Sequence, residues 1–579
     1  MTIGLKPRLL LLVLLSSVLF PLALPSEFFG SALKLLGRQP DESFYWGNAI
    51  LGLVCLAPVF YAVSRAPTFG FASLLGLIFG AISTGLANYW LMFFQGYSLW
   101  TFGAPLVGYT AVNALVFPFL RGFSRISGRF RPFLLAIAWA GYEYFKSVGF
   151  SGYPWGLIAY PMGSFLPLIQ FVDTTGIWGL CFLMALVNAL IAEYALAGPH
   201  AGRRSFYFRQ AAFGLFLVVC VLGYGTYRLA RPIPHASTAS LLLVQQNTDP
   251  WDEGNANNDS LRVNVDLTMK GLQGSKSAPD LAVWSESSVT SVYVEHNQFT
   301  PASNPLVPAV RMMGIPVLFG GVVILDRQKQ EAWNASVLVS PEGNVVDTYG
   351  KMHPVPMAES IPFYELPPVR SFFRNVVGIW NPWVSGTRHT IFKVPLHAGG
   401  QLAFGTPICF EDAFSDLCRT YIVKGADMLV NITNDSWSKT WSAEIQHFEV
   451  ARFRAVENHR VLVRSTNGGV SAVIGPWGEI RSRMPFFEKA WRTVDVPVYR
   501  ETRLTSYTRF GDWFPRLSIA FLFLVLVAAA IPPQIKRGPS DKKRAQPFGL
   551  RKKRVLRTKK RAVVSQRAPQ QDSLSGSAS

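Results

Sequence analysis

Residues 401–414 read QLAFGTPICFEDAF, an apolar run that ends at a cysteine and continues into a polar stretch. The part 401–408 is strand-like, and the following part 412–423 is helix-like. A cysteine at such a junction lies near the free N–H groups of the helix, which favour its thiolate. Cys409 therefore indicates an α/β domain that carries a reactive group at the end of a strand.

The same order of strands and helices extends on both sides of this junction. The other strand-like runs are 239–246, 281–285, 316–325, 335–340, 345–350, 427–432, 460–465 and 471–474. Further helix-like runs cover 260–272 and 442–457. This alternation predicts a layered α/β domain over residues 232–505. In such a domain, reactive groups are expected just past the carboxyl ends of strands.

Three side chains suited to catalysis stand at strand ends: Glu286, Lys351 and Cys409. Glu286 is a candidate general base, and a base and a cation beside a cysteine complete an activated nucleophile. Taken singly, each has an ordinary structural explanation: packing for the cysteine, a cap or surface charge for the glutamate, and a solvated loop for the lysine. The three together, in this order, favour the catalytic interpretation. Cys418, one helical stretch further on, is expected to be a packing residue.

The rest of the chain is unusually apolar. Half of the 579 residues are hydrophobic and only 16% are charged, against roughly 25% in a typical soluble domain. Eight stretches have the length and composition of membrane spans: 8–26, 46–64, 69–93, 101–120, 132–149, 170–195, 210–229 and 513–532. The first resembles a signal peptide, but its length and the spans that follow it favour a retained helix. We predict seven transmembrane helices in residues 1–231 and an eighth in 506–535.

Lysine and arginine residues set the orientation of these spans. They precede the first span and cluster at 121–131 and 203–209, whereas two of the alternate loops contain none. The positive-inside rule then places both termini in the cytoplasm and the 232–505 domain on the exported side. The tail, 536–579, holds fourteen Lys and Arg against two Asp, a net charge of +12 out of +20 for the chain. We expect it to be disordered and to lie near anionic lipid rather than to bind nucleic acid.

Three short motifs resemble the signatures of the nitrilase (carbon–nitrogen hydrolase) superfamily. They are WSES at 284–287, YGKMHPVP at 349–356 and PICFE at 407–411. Four further matches are VQQN at 244–247, NDSW at 434–437, QHF at 446–448 and RSTNGG at 464–469. A domain of this kind between seven N-terminal spans and one C-terminal span is similar to the apolipoprotein N-acyltransferases, over residues 5–533.

This resemblance implies an α-β-β-α sandwich and a ping-pong acyl transfer in the bacterial inner membrane, with the catalytic domain in the periplasm. Cys409 would take an acyl chain from a phospholipid, expected to be phosphatidylethanolamine. It would pass the chain to the α-amine of the S-diacylglyceryl cysteine of an apolipoprotein, the last step of lipoprotein maturation. Glu286 would be the base, and Lys351 with the N–H after Cys409 would stabilise the oxyanion. No metal or other cofactor is implied, and a monomer is expected.

Four more residues correspond to positions that this family uses around its site. Trp251, Glu359 and Glu411 match the family pattern; an aromatic surface contact, a loop charge and a helix N-terminal charge are their alternative explanations. Phe410 departs from it, because a tyrosine often follows the nucleophile. A hydroxyl contact is not expected there, although ring packing could survive. The long aromatic segment 361–390 predicts a lipid-facing lid, with a docked loop over the core as the alternative.

Two other functions are consistent with parts of the pattern. A membrane-anchored amidase or nitrilase would use the same glutamate, lysine and cysteine with water as the acceptor. A transporter or receptor would carry ionisable residues through the depth of its spans, whereas Glu143, Lys146 and Asp173 cluster near the predicted outer edge. The spans and the segment 361–390 favour lipid substrates.

Overall fold

The protein is described by a computed structural model that covers residues 4–35, 37, 45–126, 128–150, 152–198, 201–252, 259–378, 381–500 and 504–530. The predicted basic tail, 536–579, lies outside the described residues. Within these ranges the chain up to Ala529 forms one unit, in which a helical bundle packs against an α/β sandwich.

The bundle is formed by helices from the first 229 residues and by one helix near the end of the described chain. In order, the first eleven are α1 Leu5–Ala23, α2 Phe28–Leu35, α3 Ala49–Gly52, α4 Ala57–Arg65, α5 Phe69–Ala87, α6 Ser98–Ile126, α7 Arg131–Phe145, α8 Leu166–Ile169, α9 Val172–Thr175, α10 Ile177–Ala197 and α11 Ala201–Leu229. The later ones are α12 Ser260–Gly274, α13 Leu306–Met313, α14 Pro367–Phe372, α15 Ser415–Val423, α16 Trp441–Asn458, α17 Ser506–Phe510 and α18 Trp513–Ala530. Of these, α18 returns to the bundle, where Leu522 is part of its core.

Six helices in the described ranges are long and apolar enough to cross a membrane: α1, α5, α6, α10, α18 and most of α11. The predicted spans 46–64 and 132–149 correspond to shorter helices. The first is interrupted between α3 and α4, where Asn188 of α10 accepts hydrogen bonds from the N–H groups of Leu56 and Ala57 (2.8 and 3.1 Å). Such a partner is needed because freed backbone groups are costly in an apolar environment. The second is α7, with 15 residues, fewer than the about 20 of a typical span.

The strands form two sheets. They are β1 Ser237–Gln245, β2 Leu281–Val283, β3 Tyr293–Glu295, β4 Gln298–Thr300, β5 Val317–Asp326, β6 Glu331–Val339, β7 Val345–Gly350, β8 Ile391–Pro395, β9 Gln401–Gly405, β10 Met428–Thr433, β11 Leu462–Thr466, β12 Ala472–Ile474, β13 Ile480–Arg483 and β14 Ala490–Val498. The first sheet has the order β14-β1-β2-β5-β3-β4, with β6 on β5 and β7 on β6. The second has the order β13-β12-β11-β10-β9-β8. Strands β3, β4, β8, β13 and β14 were not predicted.

The two sheets face each other in the predicted α-β-β-α arrangement. Side chains of both sheets, such as Leu241 of β1 and Phe404 of β9, share one apolar core. Helix α12 packs on β1 and β14, whereas α15 packs on β9 and β10 and α16 on β11. The pairs β1–β2 and β2–β5 of the first sheet and β9–β10 and β10–β11 of the second are parallel. Their carboxyl ends therefore bring residues from both sheets to one edge of the sandwich.

Helix α16 is the wall that the sandwich shares with the bundle. Phe448, Ala451 and Ala455 belong to the core of the sandwich, while Phe453 and Val456 belong to the core of the bundle. Every residue of α16 after Trp441 is buried. An element that is buried on all sides joins its two neighbours into one packed structure.

One side chain of α16 makes four hydrogen bonds to the bundle. The Oε1 atom of Gln446 accepts hydrogen bonds from the indole N–H groups of Trp90 (3.1 Å) and Trp155 (2.8 Å). Its Nε2 donates to the backbone oxygens of Pro25 (3.0 Å) and Ala87 (3.2 Å). These contacts fix the carboxyl edge of the sheets over the bundle.

Candidate active site

Cys409 lies at the carboxyl edge of the second sheet, as its sequence context predicts. Strand β9 has ended, but Ile408 still bridges Ile432 of β10. The φ of Cys409 is 52°, in the left-handed region that is uncommon for residues with a side chain. Cys409 also begins a short 3-10 helix, Cys409–Ala413, so the predicted helix 412–423 is wrong at its start and α15 begins only afterwards.

Glu286 follows β2 and is held by three donors. Its Oε1 accepts hydrogen bonds from Asn334 Nδ2 (2.9 Å) and Lys351 Nζ (3.2 Å). Its Oε2 accepts one from the backbone N–H of Asn434 (2.9 Å). Gly320 of β5 lies directly behind Glu286. A Cβ atom on Gly320 would lie only 2.5 Å from the Glu286 Cα, so a larger residue would not fit there. The carboxylate is therefore fixed both by hydrogen bonds and by close packing of the backbone.

Lys351 follows β7 and is 1% exposed, so the solvated-loop explanation of this residue is wrong. Its backbone N–H donates to the Asn334 oxygen (2.8 Å), and its own oxygen accepts from the N–H of Gly386 (2.7 Å). Its Nζ lies between the carboxylates of Glu286 (3.2 Å) and Glu359 (2.8 Å). Burial alone would lower the pKa of this ammonium, but the two carboxylates outweigh it and hold the pKa well above its usual value. We therefore expect Lys351 to be cationic at neutral pH.

Cys409 keeps some surface open to a cavity, although the surrounding protein encloses it. Burial raises the pKa of the Cys409 thiol well above its usual value. The Glu286 carboxylate raises it further, and the Lys351 ammonium offsets this only in part. The resting side chain is therefore a thiol, which would need a base in order to act as a nucleophile.

Glu411 connects the loop that carries Lys351 to the loop that carries Cys409. Its carboxylate accepts hydrogen bonds from the N–H groups of Met352 (2.7 Å), His353 (3.0 Å) and Ile408 (2.7 Å), and from the hydroxyl of Tyr349. Burial raises the pKa of Glu411 to about 7, and the hydrogen bonds from the backbone relieve this in part. Its side chain is fully buried, so the prediction of a simple helix N-terminal charge is incomplete.

The rings of Phe410 and Trp251 contact the bundle. Phe410 stacks against Tyr153 and Trp155, with ring centroids 6.1 and 6.2 Å apart. The Trp251 N–H donates to the Trp437 backbone oxygen (2.9 Å), and its ring stacks on a tyrosine that precedes α6. Both aromatic residues therefore help to place the site against the membrane part of the molecule.

The segment 361–390, predicted to be a lid, contains α14 and one turn of π-helix, Phe373–Val377. Phe363 is 67% exposed, and Phe372 contacts the ring of Trp100 of α6 edge-on (5.4 Å). The described part of the segment therefore extends from the sandwich to the end of a membrane helix.

Glu286, Lys351 and Cys409 line one cavity of about 1070 Å³ that extends between the sandwich and the bundle. Trp251, Glu359 and Phe410 also line it, whereas Glu411 lies behind its wall. On the bundle side most lining groups are apolar or aromatic. On α6 the lining residues are Thr101, Ala104, Pro105, Gly108, Tyr109 and Val112. Their spacing places them on one face of that helix. The three predicted catalytic groups thus meet at the end of an apolar groove.

Comparison with known proteins identifies the family. Residues 31–190 match the apolipoprotein N-acyltransferase N-terminal domain, and residues 243–504 match the carbon-nitrogen hydrolase family. A Treponema denticola protein named apolipoprotein N-acyltransferase 2 is 37% identical over 511 residues, which cover 86% of this chain and 95% of that protein. The chain belongs to the apolipoprotein N-acyltransferase family. A Borreliella burgdorferi protein named apolipoprotein N-acyltransferase is 32% identical over 496 residues, covering 84% of this chain and 92% of its own length.

Solved structures of more distant proteins are similar to part of the chain. An amidase mutant from Nesterenkonia sp., with an acetamide moiety attached to its active-site cysteine, is 17% identical. The TM-score is 0.33, and the match covers 46% of this chain and 93% of the amidase chain. A carbon-nitrogen hydrolase from Helicobacter pylori is 15% identical, with a TM-score of 0.33, covering 49% of this chain and 96% of its own. The nitrilase-like fold rests on the family match over 243–504, with which the two facing sheets agree.

Sequence reasoning missed polar residues that support this site. Asn334 lies on β6, and its Nδ2 donates to both Glu286 (2.9 Å) and Glu359 (3.0 Å). Asn431 lies on β10 and donates to the backbone oxygen of Cys409 (3.1 Å). The sequence signal for each of them is an asparagine within an otherwise apolar strand. A buried polar side chain needs a hydrogen-bond partner, so such an asparagine indicates a polar contact. Its partner is distant in sequence, so the signal marks the position without giving the role.

Proposed function

We propose that this chain transfers an acyl chain from a phospholipid to the N-terminal S-diacylglyceryl cysteine of apolipoproteins. Phosphatidylethanolamine is the proposed donor, and the reaction is proposed to pass through a thioester on Cys409. One observation carries the proposal: Glu286, Lys351 and Cys409 line the same cavity as the apolar face of α6. A water-soluble amide would not need such a groove beside the nucleophile, whereas a lipid acyl chain would fill it.

In the first half-reaction, Glu286 accepts the thiol proton of Cys409 while the sulfur attacks the ester carbonyl of the phospholipid. The carbonyl electron pair moves to oxygen, and this oxyanion lies beside the Lys351 ammonium and the Phe410 N–H. When the intermediate collapses, the C–O bond of the ester breaks. The leaving lysophospholipid oxygen takes the proton from Glu286, and the acyl chain remains on sulfur.

In the second half-reaction, the α-amine of the diacylated cysteine attacks the thioester carbonyl. Glu286 accepts a proton from the attacking nitrogen, and the same two donors stabilise the second oxyanion. The C–S bond then breaks, the sulfur regains a proton from Glu286, and the product leaves as an amide. The same base acts twice because each nucleophile must lose a proton.

The charges of the site support this division of roles. The high pKa of Lys351 keeps it protonated, so it serves as a fixed positive charge rather than as a base. Glu286 accepts from Lys351, Asn334 and the Asn434 N–H, as an ionised carboxylate does. The high pKa of the Cys409 thiol creates the need for that base.

The groove on α6 accounts for the acyl chain. From Thr101 to Val112 its lining residues extend over eleven steps along the helix, which is about 16 Å at 1.5 Å per residue. Since α6 is one of the helices long enough to cross a membrane, a chain that lies along this face stays within the hydrocarbon depth.

We propose that the protein spans the bacterial inner membrane eight times and acts as a monomer. Six long helices supply most of the spans, and the segments that contain α3–α4 and α7 complete the count. The arginines at 121–131 and 203–209 support cytoplasmic termini and a periplasmic sandwich.

The test uses the full chain in phosphatidylethanolamine nanodiscs with a diacylated lipopeptide. Intact-mass measurement is expected to show an acyl adduct on the protein before the peptide is added, and a triacylated peptide afterwards. The Cys409→Ala variant is expected to form neither, while Cys220→Ala, at an exposed site on α11, behaves as the wild type. Release of free fatty acid without a triacylated peptide would instead indicate water as the acceptor. The absence of any adduct would overturn the proposal.

A further inference from the structure

The backbone oxygen of Cys409 has two donors that the mechanism above does not use. Asn431 Nδ2 lies 3.1 Å from it and His447 Nε2 lies 3.3 Å from it. Asn431 comes from β10, His447 from α16, and both side chains are buried. Two separate elements therefore hold one carbonyl group, at a residue whose φ of 52° is unusual.

A held carbonyl fixes the direction of the next N–H. The peptide unit between Cys409 and Phe410 is planar, and in the trans form its C=O and N–H point in opposite directions. Asn431 is fully buried, and His447, which is 3% exposed and lines the cavity together with Cys409 and Phe410, directs its Nε2 at this carbonyl oxygen. We infer that Asn431 and His447 are positioning residues, which hold the Cys409 carbonyl so that the Phe410 N–H points at the oxyanion. This inference rests on the proposed thioester chemistry.

His447 is itself fixed by a closed ring of charges. Its Nδ1 lies 2.6 Å from Asp435 and its Nε2 lies 2.9 Å from Asp412. Arg464 pairs with both of these carboxylates, so two acids and two bases alternate around the ring. The side chains of all four members are at most 8% exposed. With His447 protonated the ring is neutral, and both ring nitrogens are donors.

The surroundings favour that protonated form. Burial would lower the pKa of His447, but the Asp435 and Asp412 carboxylates raise it to about 9. Glu444, one turn earlier on α16, also faces Asp435, and burial raises the pKa of Glu444 well above its usual value, with a further rise from Asp435. On the bundle side the group that packs against the imidazole is the uncharged ring of Trp155, with centroids 5.4 Å apart.

A positioning role and a merely structural role predict different chemistry at the same sulfur. Acylation passes through an oxyanion, whereas alkylation by iodoacetamide is a direct displacement at carbon that forms none. Loss of the Cys409 carbonyl contacts is therefore expected to slow acylation selectively. General disorder of the site would slow both reactions.

The experiment compares His447→Leu, which removes the donor, with His447→Gln, which keeps a side-chain N–H of similar reach. The control is His459→Gln, an equally buried histidine at the end of the same helix that contacts Asp173 and Arg228 instead. For each protein, acyl-enzyme formation from phospholipid and alkylation of Cys409 are followed by intact mass. The full chain in nanodiscs is used throughout.

In His447→Leu we expect acylation to fall by about tenfold or more, short of the about 10²–10³-fold lost with an oxyanion donor itself. Alkylation is expected to stay near the wild-type rate, and His447→Gln to recover most of the acylation. The His459→Gln control is expected to change neither rate. If His447→Leu does not fold, Asn431→Ala provides the same comparison.

Equal loss of both reactions, or unchanged acylation in the variants, would overturn the inference. A wild-type protein that forms no acyl-enzyme would refute the proposed function instead, so the two failures are distinguishable.

Discussion

Replacing Glu286 by Gln is expected to make acylation of Cys409 depend steeply on pH. The substitution keeps the shape of the side chain and an oxygen that can accept from Lys351 and Asn334, but it removes the base. Near pH 7 the loss of a positioned base is expected to cost about 10²–10⁴-fold in rate. The reason is that the high pKa of the Cys409 thiol leaves very little thiolate without help.

The pH dependence follows from the raised pKa of the Cys409 thiol. Below the pKa of a thiol, each unit of pH raises its thiolate fraction about tenfold, since a pKa unit corresponds to about 1.4 kcal/mol. The variant should therefore regain about tenfold per unit between pH 7 and 9, whereas the wild type, which has its base, should change much less. In the variant Lys351 keeps the carboxylate of Glu359 as a partner (2.8 Å), so one cause of its raised pKa remains.

The assay measures the initial rate of the acyl adduct by intact mass from pH 6 to 10, in phosphatidylethanolamine nanodiscs. The comparison variant is Lys351→Met, which lacks the charge that stabilises the oxyanion. Hydroxide does not replace that charge, so its recovery above pH 8 is expected to be weak. A flat profile in Glu286→Gln, or equal recovery in both variants, would refute this assignment of base and cation.

Three further outcomes are expected. Cys409→Ala should abolish both thioester and product as seen by intact mass, whereas Cys418→Ala, a packing site, should keep substantial activity; near-normal product from Cys409→Ala would exclude covalent catalysis. Gln446→Leu should lower the stability to thermal unfolding in detergent by about 2–4 kcal/mol, because four hydrogen bonds are lost at about 1 kcal/mol each; an unchanged midpoint would contradict the account of α16. A reporter fused after Ser579 should behave as cytoplasmic, and one inserted in the exposed turn at Gln328 as exported; an exported C-terminus would overturn the proposed topology.

The positions of Glu286 and Cys409 were predictable because the signal is local. Each follows an apolar run, and a polar side chain just past a buried strand is visible without knowing the strand's neighbours. The α-β-β-α order was likewise predictable from alternating runs and from motif resemblance. The central strands agree with the predicted runs to within a few residues.

The contacts around those residues were not predictable in the same way. Asn334 reaches Glu286 across 48 positions, and Lys351 is buried only because two acids from other loops surround it. Apart from the motif resemblance at 349–356, nothing near Lys351 in the sequence distinguishes it from a solvated loop lysine. The interruption between α3 and α4 is hidden for a related reason, since a side chain far along the chain, Asn188, satisfies the freed backbone groups.

Helix α16 has a consequence for how the protein is made. Residues 441–458 are synthesised after the first eleven helices. The bundle therefore cannot complete its packing against α16 until most of the chain has been synthesised. Until then the indole N–H groups of Trp90 and Trp155 lack the acceptor that Gln446 later provides. A gene truncated before this helix would encode an unfinished bundle, and a secreted sandwich cut free of its spans would expose apolar rings such as Phe453 to water. We therefore expect neither half to fold normally when it is expressed alone.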